Sequence, residues 1–239
     1  MKPILVFLFL FVAMFCQAED PVGDALKAMY GGELDKASKL IDAVLAENPK
    51  SGEALLAKGR ILLLEKKYDE AADTLFKAIG VDPKLTDAYF YIGEAAFQER
   101  SWPDALEAYS RFLPHAKDGR DAYLKVIYAK IAMHEFSEAG KLMNRFDPND
   151  LAHPGYYFSH AALAVALKKD AEADTYLRRA KTLYGIPMIN RYQPDYFFIL
   201  NVLNPASPAK AGEKAGDDAI IEDGKAAVPA KAPAAKPGS

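Results

Sequence analysis

Five alanines stand 34 residues apart, at Ala37, Ala71, Ala105, Ala139 and Ala173, with no insertion or deletion between them. The columns around them repeat too. Three residues before each alanine come Leu34, Tyr68, Trp102, Phe136 and then Asp170; four after come Ile41, Leu75, Tyr109, Met143 and Leu177; seven after come Val44, Ala78, Phe112, Phe146 and Ala180. Offsets of zero, four and seven share one face of an α-helix. A small residue there lets a second helix approach closely, and the larger residue one turn on fills the space between. A fixed period of this length predicts supersecondary units that stack into a solenoid, each burying its apolar face against its neighbours.

Within a unit the pattern reads as two antiparallel helices. In the unit 52–85 the first helix carries Leu55, Gly59 and Leu62. The second opens on Asp69 and Glu70, acids that favour a helix N-terminus, and stops before Pro83, which lacks the N–H to continue. The predicted fold is all-α: a solenoid of about five 34-residue helix-turn-helix repeats, with a short C-terminal capping helix over Tyr196–Leu203. That helix is read as starting after Pro194 and Asp195, and it is apolar nearly all round.

These repeats resemble the tetratricopeptide repeat (TPR) family. The matching residues are apolar or aromatic Leu55 and Tyr89, small Gly59 and Gly93, aromatic Tyr68 and Trp102, Ala71 and Ala105, and Pro49 and Pro83 at unit ends. The resemblance covers about Glu19 to Gly185 and implies a right-handed superhelix. Pro21, Ile127 and Asp170 depart from the pattern. The leading helix of the first unit is therefore expected to start late, and the fourth and fifth units to pack less regularly.

The ends differ from this body. Residues 1–18 carry one lysine and then twelve apolar residues, Ile4 to Phe15, too few to span a bilayer. They fit a secretory signal cleaved after Ala18, with an uncleaved anchor as the alternative. Cys16 is the one cysteine, so the mature chain would have no disulfide, and the location implied is periplasmic or secreted. From 204 to 239 the chain is expected to be a flexible tail. Residues 205–239 hold 11 Ala, 5 Pro, 5 Lys and 4 Gly with no aromatic, a composition with little apolar surface to bury. One island, Asp217–Gly224 (DDAIIEDG), frames two isoleucines with acids. The domain plan is thus 1–18, 19–203 and 204–239.

The net charge of −3 does not suggest a nucleic-acid partner, which would want a basic face. No metal-ligand spacing joins His115, His134, His153 and His160, and there is no phosphate loop or nucleophile elbow. No catalytic residue, metal or cofactor is predicted. The resemblance implies instead a concave groove lined by the first helices. Carried over unit by unit, the partner-binding candidates are Leu56, Arg60 and Leu63; Phe90, Glu94 and Phe97; Leu124, Tyr128 and Ile131; and Phe158. Ala162 and Val165, and less certainly Leu26 and Met29, extend the set. Family members that clamp a peptide carboxylate present Lys, Arg and Asn in this groove. Here the wall is mostly apolar, which suits an amphipathic helix or an extended apolar segment. The expected function is a non-enzymatic protein-binding scaffold or adaptor in the cell envelope. A second reading is a self-associating subunit that uses the apolar terminal helix and the tail.

Overall fold

The computed structural model describes residues 20–203; the expected signal segment and tail lie outside them. Eleven α-helices and no strand occur among the described residues. The first helices of the five units are α1 (Pro21–Tyr30), α3 (Gly52–Leu64), α5 (Asp87–Gln98), α7 (Arg120–Ala132) and α9 (Gly155–Ala166). The second helices are α2 (Leu34–Glu47), α4 (Tyr68–Val81), α6 (Trp102–Phe112), α8 (Phe136–Met143) and α10 (Asp170–Leu183). A last helix, α11, spans Ile186–Leu203. Each first helix packs on the second helix of its own unit and on the first helix of the next.

The alanine ladder is the spine of this packing. Ala37, Ala71, Ala105 and Ala139 are fully buried, and Ala173 nearly so. Ile41, Leu75, Tyr109 and Met143, one turn further on, are buried beside them. The glycines of the first helices show why the spacing is strict. A Cβ on Gly59 would come within 2.5 Å of Leu75, and one on Gly93 within 2.6 Å of Tyr109. Ile127, at the same position in the fourth unit, is fully buried in one cluster with Met143.

The backbone repeats as strictly as the side chains. Positive φ occurs at Gly32, Lys66, Arg100, His134 and Lys168, between 59° and 81°, and these five residues are again 34 apart. Each lies in the tight turn between the two helices of a unit. The left-handed conformation suits glycine, yet only the first unit has one. Side chains cap the entry to α1 and α3: Asp20 accepts from the Gly23 N–H at 2.8 Å, and Ser51 from the Ala54 N–H at 3.3 Å.

Irregularities appear in the first and fourth units, whereas α10, which opens on Asp170, runs a full 14 residues. Helix α1 begins at Pro21 and is shorter than its counterparts. Helix α8 has only eight residues; Phe146 then leaves the helix and stacks flat on the His153 ring, 5.3 Å between centroids. The terminal helix differs from expectation. It does not begin after Pro194 but at Ile186, with Pro194 inside it. Proline removes one helical hydrogen bond and crowds the carbonyl four residues back. Here that carbonyl belongs to Asn190, and both Asn190 and Pro194 face solvent, so water can satisfy the freed oxygen while the other face stays packed.

Candidate functional site

Helix α11 does more than cover the end of the array. It turns back across the first helices and lies along α7, beside α9, reaching α5. Two charge pairs set this register. Asp121 and Lys125 are four apart on α7, and Arg191 and Asp195 four apart on α11. Arg191 bonds the Asp121 Oδ2 at 2.7 Å, and Lys125 meets Asp195 at 2.9 Å. Both pairs span 70 residues, so the two helices run in the same direction. Further along, the Phe198 ring meets Phe97 at 5.5 Å and Trp102 at 6.3 Å.

Lys125 is the hinge of the arrangement. Its side chain is 7% exposed and sits between Glu94 and Asp195, each at 2.9 Å, with the Phe97 ring centroid 4.6 Å from the ammonium. Burial alone would pull its pKa down; the two carboxylates outweigh burial and hold it above the ordinary lysine value. Glu94 also accepts from the Tyr109 hydroxyl at 2.5 Å. Asp121 forms the second hub. It accepts from Tyr192 at 2.6 Å and from His153 Nε2 at 3.0 Å. His153 Nδ1 in turn accepts from the Gly155 N–H, so Nε2 carries the imidazole proton. Burial would raise the Asp121 pKa, but the His153, Tyr192 and Arg191 contacts overcome it and take it down to about 2.

The candidate residues divide accordingly. Phe97, Leu124, Tyr128, Ile131 and Phe158 are at most 2% exposed, as is Ala162. While α11 is seated, an outside segment cannot touch them. The Tyr128 hydroxyl is buried with no hydrogen-bond partner among the described residues. Leu56, Arg60, Leu63, Phe90 and Glu94 keep part of their surface, as do Leu26 and Val165. Four residues of that set, Arg60, Leu63, Phe90 and Glu94, line an open pocket of about 700 Å³ between the first helices of units one to three, closed on one side by Pro194 of α11. Tyr30, 75% exposed, and Leu64, 54% exposed, complete its rim. Sequence reasoning missed both because they lie at helix ends, outside the repeating groove positions.

Arg60 lies between two tyrosines of this pocket. Its guanidinium lies 5.4 Å from the Tyr30 ring centroid and 5.1 Å from that of Tyr91, and it donates to the Tyr30 hydroxyl. Burial raises the Tyr91 pKa, and Arg60 partly opposes that shift. A second depression of about 500 Å³ lies between α4, α5 and α6, with Phe76 exposed at its edge. Among the described residues no group of three or more His, Cys, Asp or Glu side chains could hold a metal ion. No described helix is long and apolar enough to cross a membrane.

Known proteins agree with this architecture. A sequence model of the tetratricopeptide repeat matches residues 24–85. The tetratricopeptide repeat-containing protein trd-1 of Caenorhabditis elegans is 20% identical over 156 residues, 65% of this chain and 20% of that protein. The general transcriptional corepressor ssn6 of Schizosaccharomyces pombe is 28% identical over 120 residues, 48% of this chain and 11% of that protein. The chain thus spans a fifth or less of these relatives. Among solved structures, TTC0263, a thermophilic TPR protein of Thermus thermophilus, superposes with a TM-score of 0.59 at 17% identity, covering 76% of this chain and 97% of that one. YrrB, a TPR protein with an unusual peptide-binding site, gives 0.53 at 17% identity, covering 76% and 89%. MamA gives 0.53 at 23% identity, covering 66% and 93%. The repeat model thus matches residues 24–85, and the fold of the described residues is a solenoid like those of the solved tetratricopeptide repeat structures.

Proposed function

We propose that this chain is a non-enzymatic adaptor, exported to the cell envelope, that binds a segment of another protein in the open N-terminal half of its groove. The observation that carries the reading is the pocket around Arg60. Its walls are mostly apolar, one of its two cations is fixed between two tyrosines, and its neighbouring groove positions are already filled by α11. A contiguous apolar concavity on a protein surface is a contact surface far more often than an accident. An extended segment or short helix with apolar side chains and an acidic residue fits this lining. The peptide-binding site named for YrrB is consistent with that ligand class.

The test is a cross-linked capture from the native envelope fraction, with Leu64→Glu beside the unchanged protein. Leu64 is exposed, so its replacement leaves the core alone. A partner captured by the unchanged chain and lost in the variant supports the reading. A partner retained by both places binding elsewhere.

Self-association through α11 is the second reading. Ile189, Tyr192, Tyr196 and Ile199 of that helix are buried within the chain, which leaves Phe197 and Ile186 as its large exposed apolar residues. A dimer in sedimentation that becomes a monomer with Phe197→Glu would favour it.

A further inference from the structure

The open pocket is lined by two cations, Arg60 and Lys66, and has no carboxylate of its own to spare. Arg60 forms no salt bridge among the described residues and bonds only the Tyr30 hydroxyl. Lys66, at the pocket edge, has no ion-pair partner there either. Glu94, the acid on the wall, is engaged by Lys125 and Tyr109. Guanidinium offers five donors and favours planar carboxylates, so most of its donors have no protein acceptor among the described residues. The remaining walls, Leu63, Leu64 and Phe90, ask for branched apolar side chains.

One segment of this chain has that chemistry. Asp217, Asp218, Glu222 and Asp223 flank Ile220 and Ile221. Elsewhere in 205–239 the apolar side chains are alanine, proline and a single valine, Val228. The geometry of the chain permits the encounter. Pro194 forms part of the pocket wall, and Leu203, where the described residues end, is nine residues further along α11, about 14 Å at 1.5 Å per residue. From Leu203 to Asp217 the chain can reach about 50 Å at most. The span therefore exceeds the distance with slack.

We propose that Asp217–Gly224 docks in the pocket of its own chain, with the isoleucines against Leu63, Leu64 and Phe90 and an acid on Arg60, and that a partner segment must displace it. This rests on the reading of the pocket as a peptide site. A tethered occupant needs little intrinsic affinity, because its effective concentration is in the millimolar range for a short connection. Entry of an outside segment would then be a competition, favouring partners that bind more tightly than the tail.

The experiment uses the full chain with the photo-reactive residue p-benzoylphenylalanine at position 64. The purified protein is irradiated at low concentration and digested with trypsin. The expected product is a cross-link to the peptide Ala215–Lys225 in material that migrates as a monomer. Its yield should fall at least fivefold in an Ile220→Asp, Ile221→Asp double variant and in Arg60→Ala, each shown to be folded by circular dichroism. An unchanged yield in the double variant, a product at dimer mass, or no cross-link to that peptide overturns the proposal. Irradiation in a native envelope extract separates this failure from failure of the pocket reading. Capture of another protein at position 64 without the tail peptide overturns tail docking and leaves the pocket a binding site. Capture of neither overturns both.

Discussion

The Lys125 ammonium on α7 lies 2.9 Å from the Asp195 carboxylate on α11 and 2.9 Å from Glu94 on α5, so one buried cation ties the terminal helix to two repeats. Removing one partner of a buried pair leaves an uncompensated charge. Lys125→Ala leaves Glu94 and Asp195 facing each other without a counter-ion and should destabilise by about 3–5 kcal/mol. Asp195→Asn keeps the Glu94 contact and a hydrogen-bonding oxygen, and should lose about 1–2 kcal/mol. Urea denaturation measures both. Equal effects, or an effect of Lys125→Ala within ~0.5 kcal/mol of zero, would mean that the pair does not hold α11 in place.

Gly93 and Gly80 are both helical and should respond oppositely to alanine. A Cβ at Gly93 would meet the Tyr109 ring at 2.6 Å, whereas nothing lies within 4 Å of one at exposed Gly80. Tyr109 is fully buried and bonded to Glu94, so it cannot swing aside. Gly93→Ala should destabilise by about 1–3 kcal/mol through overpacking. Gly80→Ala should stabilise by about 0.5–1 kcal/mol through helix propensity and the reduced freedom of the unfolded chain. Thermal melts of the two variants would show midpoint shifts of opposite sign.

The repeat body was legible in the sequence because a steric demand recurs in it. Each unit needs a small residue where two helices touch, and Ala37 through Ala173 report that need at fixed spacing. The seating of α11 on the first helices was not legible, because the family pattern assigns the same facing positions to every unit whether or not they are covered. A signal existed in the charges. Asp121 and Lys125 interrupt an otherwise apolar face with the order acid-then-base, and Arg191 and Asp195 answer with base-then-acid at the same spacing. Pro194 hid that complementarity by suggesting a helix start in the middle of α11. Its solvent-facing position, which makes an internal proline tolerable, is a property of tertiary packing.

The left-handed residues offer a third test. Lys66, Arg100, His134 and Lys168 hold φ between 59° and 63°, a region costly for side chains with a Cβ by about 1 kcal/mol or more. Gly32 shows that the turn accepts glycine. Lys66 and Arg100 are both exposed, and Arg100 would give up only a cation–π contact, its guanidinium 5.7 Å from the Phe198 ring centroid. Lys66→Gly and Arg100→Gly should each stabilise by about 0.5–1 kcal/mol, the left-handed relief exceeding the added freedom of the unfolded chain. Lys66→Val, with a branched side chain, should destabilise. Denaturation midpoints moving the other way would mean that the turn is not strained.

Acid should release α11 before it unfolds the repeats. Asp121 has its pKa lowered to about 2 in the fold by the His153, Tyr192 and Arg191 contacts acting against burial, while an unfolded aspartate titrates near 3.9. A lowered carboxylate pKa means that the native state binds fewer protons than the unfolded state in this interval. The stabilisation is thus fully present above about pH 4 and is lost as pH falls through about 2. Asp118 and Asp150 are lowered as well, Asp118 mainly by Arg120 and Asp150 first by the Ala152 N–H and then by Arg120, but neither bonds α11. Trp102, the single tryptophan, rests against Phe198 of that helix and reports its departure by fluorescence. Between pH 4 and 2 the Trp102 emission should change ahead of helical circular dichroism. In Asp121→Asn, whose amide oxygen still accepts from His153 and Tyr192 but carries no charge for Arg191, that early change should shrink. Coincident transitions in the unchanged protein would show instead that α11 and the repeats unfold as one unit.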